Sequence, residues 1–427
     1  MAKLPFLIGI LLSSPGVLMA AEIDKADTAW MLISTALVMF MVPGLALFYG
    51  GLVRSMNVLS VVMQSLFAMG LMGLQWAILG YSLAWGSDHG GFVGGLEYLF
   101  LDGVGQEANG TIPHVLFMMF QGMFAIITPA LIGGSVVERI KFSSFCLFIL
   151  AWGTLVYDPL CHMVWHPQGF LLTRGSLDFA GGTVVHISSG VSALVLALMV
   201  GKRKGYGKQS LPPHNLLFTL IGGALLWFGW FGFNAGSALS SGGLAANALV
   251  TTFLSAAAGL FSWTLAEWIL IKKPSVLGAL SGMLAGLVAI TPAAGFVGPG
   301  PAILIGLVGG LVCYLGVRIK TRFGFDDSLD AFGVHGIGGI FGALATGLFA
   351  SALVNPAGTD GVFYNLETGL HLLGEQILAI GVTVVYSVVV TFLLGKAIDL
   401  TLGLRVTEEE ETQGLDATLH GESAYQS

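Results

Sequence analysis

Apolar runs of about 20 residues succeed one another along almost the entire chain, each long enough to carry a helix across roughly 30 Å of hydrocarbon. Little separates one run from the next. Only 10% of the residues are charged and 55% are hydrophobic, whereas about 25% of a soluble domain is charged. So large a deficit means that most of the surface faces something other than water. The chain therefore reads as an all-α polytopic membrane protein, not as a soluble domain with an anchor.

Eleven transmembrane helices are predicted, near 28–52, 58–85, 113–137, 142–165, 180–200, 215–240, 244–271, 276–293, 299–319, 333–353 and 374–400. Ahead of them, Lys3, a short apolar stretch and small residues around Ala20 predict a cleaved secretory signal peptide over 1–20. Cleavage leaves the mature N-terminus outside, and an odd number of spans then puts the 401–427 tail in the cytoplasm. Lys and Arg favour cytoplasmic loops, which tests this topology. From Arg54 to Arg405, every basic residue except Arg174 falls on the cytoplasmic side. The external loops near 86–112 and 354–373 carry none. The net charge of −7 says less than this distribution.

Several function classes drop out. Cys146, Cys161 and Cys313 sit in apolar helices with no CxxC pair, so they read as small buried hydrophobes and not as disulfide or metal ligands. "KRKGYGK" is a cytoplasmic topogenic loop and not a nucleic-acid patch, and "GVHGIGG" opens no βαβ unit that could hold a nucleotide. An intramembrane hydrolase would need a nucleophile–base pair or a metal triad, and neither is present in the sequence. No enzyme activity and no cofactor is implied. Many of the 62 glycines lie inside spans, where small residues let helices approach closely.

Titratable residues inside the spans repeat. Asp178 and His186 are eight positions apart at the start of span 5, and Asp327 and His335 are eight apart at the start of span 10. Small-residue helices follow both, "HISSGVSALVLAL" and "HGIGGIFGALATG". Five spans separate the copies, so they enter the membrane from opposite faces. That is the signature of an inverted repeat, about 28–200 against about 215–353, with helix 11 outside it and a site where the halves meet. Asp327 is then the repeat partner of Asp178. Eight residues of helix reach about 12 Å, which predicts a His186–His335 pair near the midplane. Intramembrane ionisable residues are functional by default, although a backbone carbonyl could satisfy each imidazole separately.

An aromatic cluster joins them. Phe120 and Phe124 share one helix face in "FQGMF". Trp165 ends span 4 at the external rim, and "WFGWFGFNAGS" supplies Trp230, Phe233 and Ser237. Aromatic faces attract cations, while rim Trp and paired Phe also serve as interfacial belt and packing.

"MVPGLALFYGGLV", "FQGMF", "ERIKF", "DFAGGTVVHI", "GWFGFNAGSAL", "DAFGVHGIGG" and the tail "GLRVTEEEETQGLDATLHGESAY" together resemble the bacterial ammonium transporter family, Amt, of the Amt/Rh superfamily. The resemblance runs from about Ala21 to the C-terminus. It implies a homotrimer in the bacterial inner membrane, with one pore per protomer. By position, Phe120, Trp165 and Ser237 look like the external ammonium recruitment site, with Asp178 beside it. Phe124 and Phe233 look like the stacked phenyl gate, and His186 with His335 like the twin histidines of a dry pore. The cytoplasmic face and tail are similar to those that bind PII signalling proteins.

Two departures stand out. His166-Pro167 follows Trp165 where bacterial relatives often have glycines, and Asp158 in "YDPL" reads as an extra external carboxylate.

The expected mechanism is capture of ammonium, or of its analogue methylammonium, followed by deprotonation near Phe124 and Phe233. Ammonia then passes the histidines, which relay the proton. A dry lumen disfavours intact cations, so potassium, with no proton to lose, is excluded. The alternatives are a neutral gas channel of the Rh type and an ammonium sensor acting through a cytoplasmic partner. The 27 residues after Leu400 are too few to form a signalling domain of their own.

Overall fold

The computed structural model describes residues 22–425, so the expected signal peptide lies outside the described residues. Among the described residues, eleven apolar helices make up the bundle: α1 (Lys25–Leu52), α2 (Ser55–Trp85), α3 (His114–Gly133), α4 (Phe142–Thr173), α5 (Gly182–Val200), α6 (Leu216–Gly236), α7 (Gly243–Ile271), α8 (Val276–Ile290), α9 (Pro299–Phe323), α10 (Phe332–Phe349) and α11 (Leu366–Thr401). Ten of them are long and apolar enough to cross a membrane. The exception, α8, has 15 residues, about 22 Å at 1.5 Å per residue. The chain is multi-pass and nearly all helical. Two short hairpins, Asp88–His89 with Val93–Gly94 and Ala108–Asn109 with Ile112–Pro113, lie between α2 and α3.

Glycine decides which helices meet closely. α1 and α6 lie along each other, and a Cβ on Gly222 would collide with the backbone of Phe48. α5 and α10 cross where a Cβ on Gly190 would strike the Gly336 nitrogen. Helices in lipid associate by this kind of close packing.

Helix ends depart from the sequence expectation at several places, α4 among them, which runs on to Thr173 and not to 165. The third helix stops at Gly133 and not near 137, and the chain turns through Glu138 at φ 70°. α11 starts at Leu366 and not near 374. The polar stretch before residue 374 is helical because the Asn365 side chain caps the Glu367 and Thr368 amides, with its polar side chains exposed. Glu375 takes a bidentate pair from Arg174 at 2.8 and 2.9 Å, and Gln376 bonds the Leu177 backbone on both sides.

One end of the bundle gathers charge. Glu138 accepts from Arg54 at 3.0 Å and Arg203 at 3.1 Å, and Arg203 also grips Asp326 at 2.9 Å. The buried Arg139 guanidinium donates to the carbonyls of Val137, Ser135, Gly201 and Asp326 and to the Ser328 hydroxyl. The chain after Thr401 folds back onto this end. A capping box at Thr407 starts a short helix, α12 (Glu408–Gln413). Arg405 pairs with Glu411 at 2.6 Å, and Asp416 caps the Leu59 and Ser60 amides at 3.0 and 2.8 Å.

Asp158 requires a correction. It is not an external carboxylate: it lies inside α4 with 0% of its surface exposed. Gln75 of α2 donates to Oδ2 at 2.7 Å, while Oδ1 has no protein partner. A π-helical turn, Gly153–Tyr157, widens α4 just before it.

Candidate functional site

Two cavities lie end to end along the bundle. The outer one, about 140 Å³, is lined by Trp85, Gln121, Phe124, Trp165, Phe179 and Ser237. The inner one, about 210 Å³, has Phe233, Trp230, His186 and His335 in its wall and continues to Arg203 and Asp330 at the charged end. Phe124 lines only the outer cavity and Phe233 only the inner. Their rings lie 4.3 Å apart at 34° and form the partition between the two.

Each side chain is held by its element. Phe124 is one turn below Phe120 on α3, with ring centroids 5.1 Å apart. Phe120 does not line the outer cavity; it is buried behind Phe124, against Gly236. Trp165 stands at the end of a helical stretch of α4, and its indole donates to the Asp178 carbonyl at 2.8 Å. The Ser237 hydroxyl donates to the Phe233 carbonyl at 2.8 Å, which leaves its lone pairs free for a donor in the outer cavity.

Below the partition, aromatic rings stack. His186 lies 6.0 Å from Phe233, 5.4 Å from Trp230 and 5.2 Å from His335, each nearly parallel. The two Nδ1 atoms face each other at 3.2 Å. Trp230 is fixed by its bond to Thr291 at 3.0 Å. Both histidines occupy π-helical turns, Gly182–Ile187 and Phe332–Gly336. Such turns shift the side-chain register and recur at functional sites.

The two repeated aspartates act on backbone. Asp178 accepts from the amides of Gly181, Gly182, Thr183 and Val184 and from the Thr183 hydroxyl. Its carboxylate is committed to the start of α5 and does not line the outer cavity. Asp327 does the same more sparingly, taking the amides of Ala331 and Phe332 at 3.1 and 2.8 Å.

Sequence reasoning missed Trp85, Gln121 and Phe179. Gln121 lies inside the quoted "FQGMF" and Phe179 inside "DFAGG", so both motifs carried the signal, whereas Trp85 lies in none of the quoted motifs.

The family model for the Ammonium Transporter Family matches residues 29–425. The chain belongs to the ammonium transporter family. Members of this family are transporters and not enzymes. The chain is 54% identical over 407 residues to the ammonium transporter of Bacillus subtilis, covering 94% of this chain and 99% of that one. It is 46% identical to the ammonium transporter of Aquifex aeolicus, with 98% of each covered. Among solved structures, Saccharomyces cerevisiae Mep2 is similar at a TM-score of 0.85 and 36% identity, covering 95% and 94% of the two chains. A structure described as a sensor Amt protein is similar at a TM-score of 0.86 and 28% identity, covering 93% and 98%.

Proposed function

We propose that this member of the family recruits ammonium in the outer cavity, strips its proton at the phenyl partition and conducts ammonia through the inner cavity past His186 and His335. The observation that carries this reading is the Phe124–Phe233 partition with a histidine pair directly beneath it. Trp165 and Phe124 offer ring faces to a cation, and Ser237 offers an acceptor. A full charge beyond the partition would sit among apolar walls at high cost, whereas ammonia would not. One shared proton between facing Nδ1 atoms leaves one Nε2 protonated and the other bare. The pair then shows a passing ammonia both a donor and an acceptor, and those roles exchange when a proton arrives at the bare Nε2, the shared proton crosses between the rings and the other Nε2 gives up its proton.

The wider reading keeps two inverted five-helix repeats plus the final helix, the recruiting face outside and the charged end with the tail in the cytoplasm. It also has the protein as a homotrimer in a bacterial inner membrane, with a PII-type partner on the cytoplasmic face.

Methylammonium flux into proteoliposomes and currents on ammonium pulses test the core of it. Wild-type protein is expected to conduct and to exclude potassium, and His186→Ala to lose proton transfer. Wild-type currents with intact potassium exclusion from His186→Ala would remove the relay. Absence of flux from the wild type under every condition, with or without a PII partner, would turn the reading toward a sensor.

A further inference from the structure

A larger recess, about 440 Å³, lies beside the outer cavity and has no part in the mechanism above. Tyr81, Trp85, Tyr98 and Phe117 wall it, with His114 and His166 alongside. The rings come from the end of α2, the loop after it and α3, and they brace one another. Tyr81 and Tyr98 lie 5.5 Å apart, and Trp85 and Phe117 meet edge to face at 4.7 Å. Trp85 is common to both spaces, since it also lines the outer cavity.

The surroundings are acidic. Residues 86–112 carry Asp88, Glu97, Asp102 and Glu107 and no Lys or Arg. His114 is already engaged on both ring nitrogens, with Glu107 at 2.9 Å and the Tyr81 hydroxyl at 2.5 Å. Among the described residues, no cluster of His, Cys, Asp and Glu that could hold a small, strongly hydrated metal cation is present here. Several aromatic walls under a negative rim instead suit a bulky cation with a weakly held hydration shell.

We propose that this recess binds alkylated ammonium cations of about tetramethylammonium size. Such a cation has no N–H to give and too much bulk for the phenyl partition, so it stops in the recess. Because Trp85 is shared, occupancy there slows capture of the smaller ion next door.

Calorimetry on the detergent-purified full chain with tetramethylammonium tests this. Binding is expected, weakened about tenfold in Tyr98→Ala, the scale of one desolvated cation–π contact. Tyr98→Phe retains the ring and is expected to retain binding, which separates ring loss from misfolding. Ser237→Ala, in the outer cavity, is expected to bind as the wild type does. Four results overturn the proposal: no binding by the wild type at millimolar tetramethylammonium; weakening by Ser237→Ala but not by Tyr98→Ala; equal weakening by Tyr98→Phe and Tyr98→Ala; or equally tight binding of the uncharged isostere neopentane.

Discussion

The Asp178 carboxylate collects four backbone amides and the Thr183 hydroxyl, while its own carbonyl anchors the Trp165 indole. One residue thereby fixes both the start of the helix that bears His186 and the aromatic wall of the outer cavity. Asp178→Asn would turn an NH2 group toward N–H donors. It is expected to cost about 2–3 kcal/mol, the scale of charge-assisted hydrogen bonds, measured as thermal unfolding in detergent, and to lower methylammonium flux. Wild-type unfolding temperature and flux together would refute it. The eight-residue spacing made His186 and His335 legible in the sequence, but not the task of the aspartates. That task depends on the chain turning at Gly181 with φ 115°, which folds the amides back onto the carboxylate. Asp158 was misread for a related reason. A carboxylate in hydrocarbon is costly without a partner, and its donor, Gln75, is 83 residues away.

At the scale of helices, the histidine pair exists because α5 and α10 cross at contact distance. Gly190→Val would wedge its side chain against the Gly336 backbone. Overpacking of this kind costs about 1–3 kcal/mol, and here it would also pull the two Nδ1 atoms out of hydrogen-bond reach. Methylammonium flux is expected to fall at least tenfold in a variant that still purifies as folded protein. Undiminished flux would show that the pairing distance is dispensable. The apolar runs located these helices, since hydrocarbon thickness sets their length. The π-helical turns at Gly182–Ile187 and Phe332–Gly336 were not legible, because they arise from how the crossing helices accommodate one another. The early start of α11 was missed because its first turns, capped by Asn365, carry exposed polar residues that interrupt the apolar run.

Across the whole molecule, the charged end is the part most exposed to acid. Burial pushes the Glu138 carboxyl up, but Arg203 and Arg54 more than offset this and hold it below the usual carboxylate range. Its unfolded counterpart titrates near pH 4.3, roughly. The pairing therefore stabilises the fold in full above that value and is lost as pH falls through the depressed native one. Thermal unfolding in detergent is expected to be flat from pH 7 to 5 and to weaken below about pH 4. Glu138→Gln, which leaves Arg203 and Arg54 short of a buried partner, is expected to lose about 3–5 kcal/mol at pH 7 and to respond less to acid. An unchanged acid limb in that variant would place the sensitivity elsewhere. The conduit has a further property at this scale. Phe124 and His186 come from the first half of the chain, and Phe233 and His335 from the second. The proposed path for ammonia is thus a seam, and neither half completes it alone. A chain interrupted in the exposed stretch 207–210 would give two fragments that are each silent in a flux assay. Activity would return only when both are made together, as it does for an obligate heterodimer.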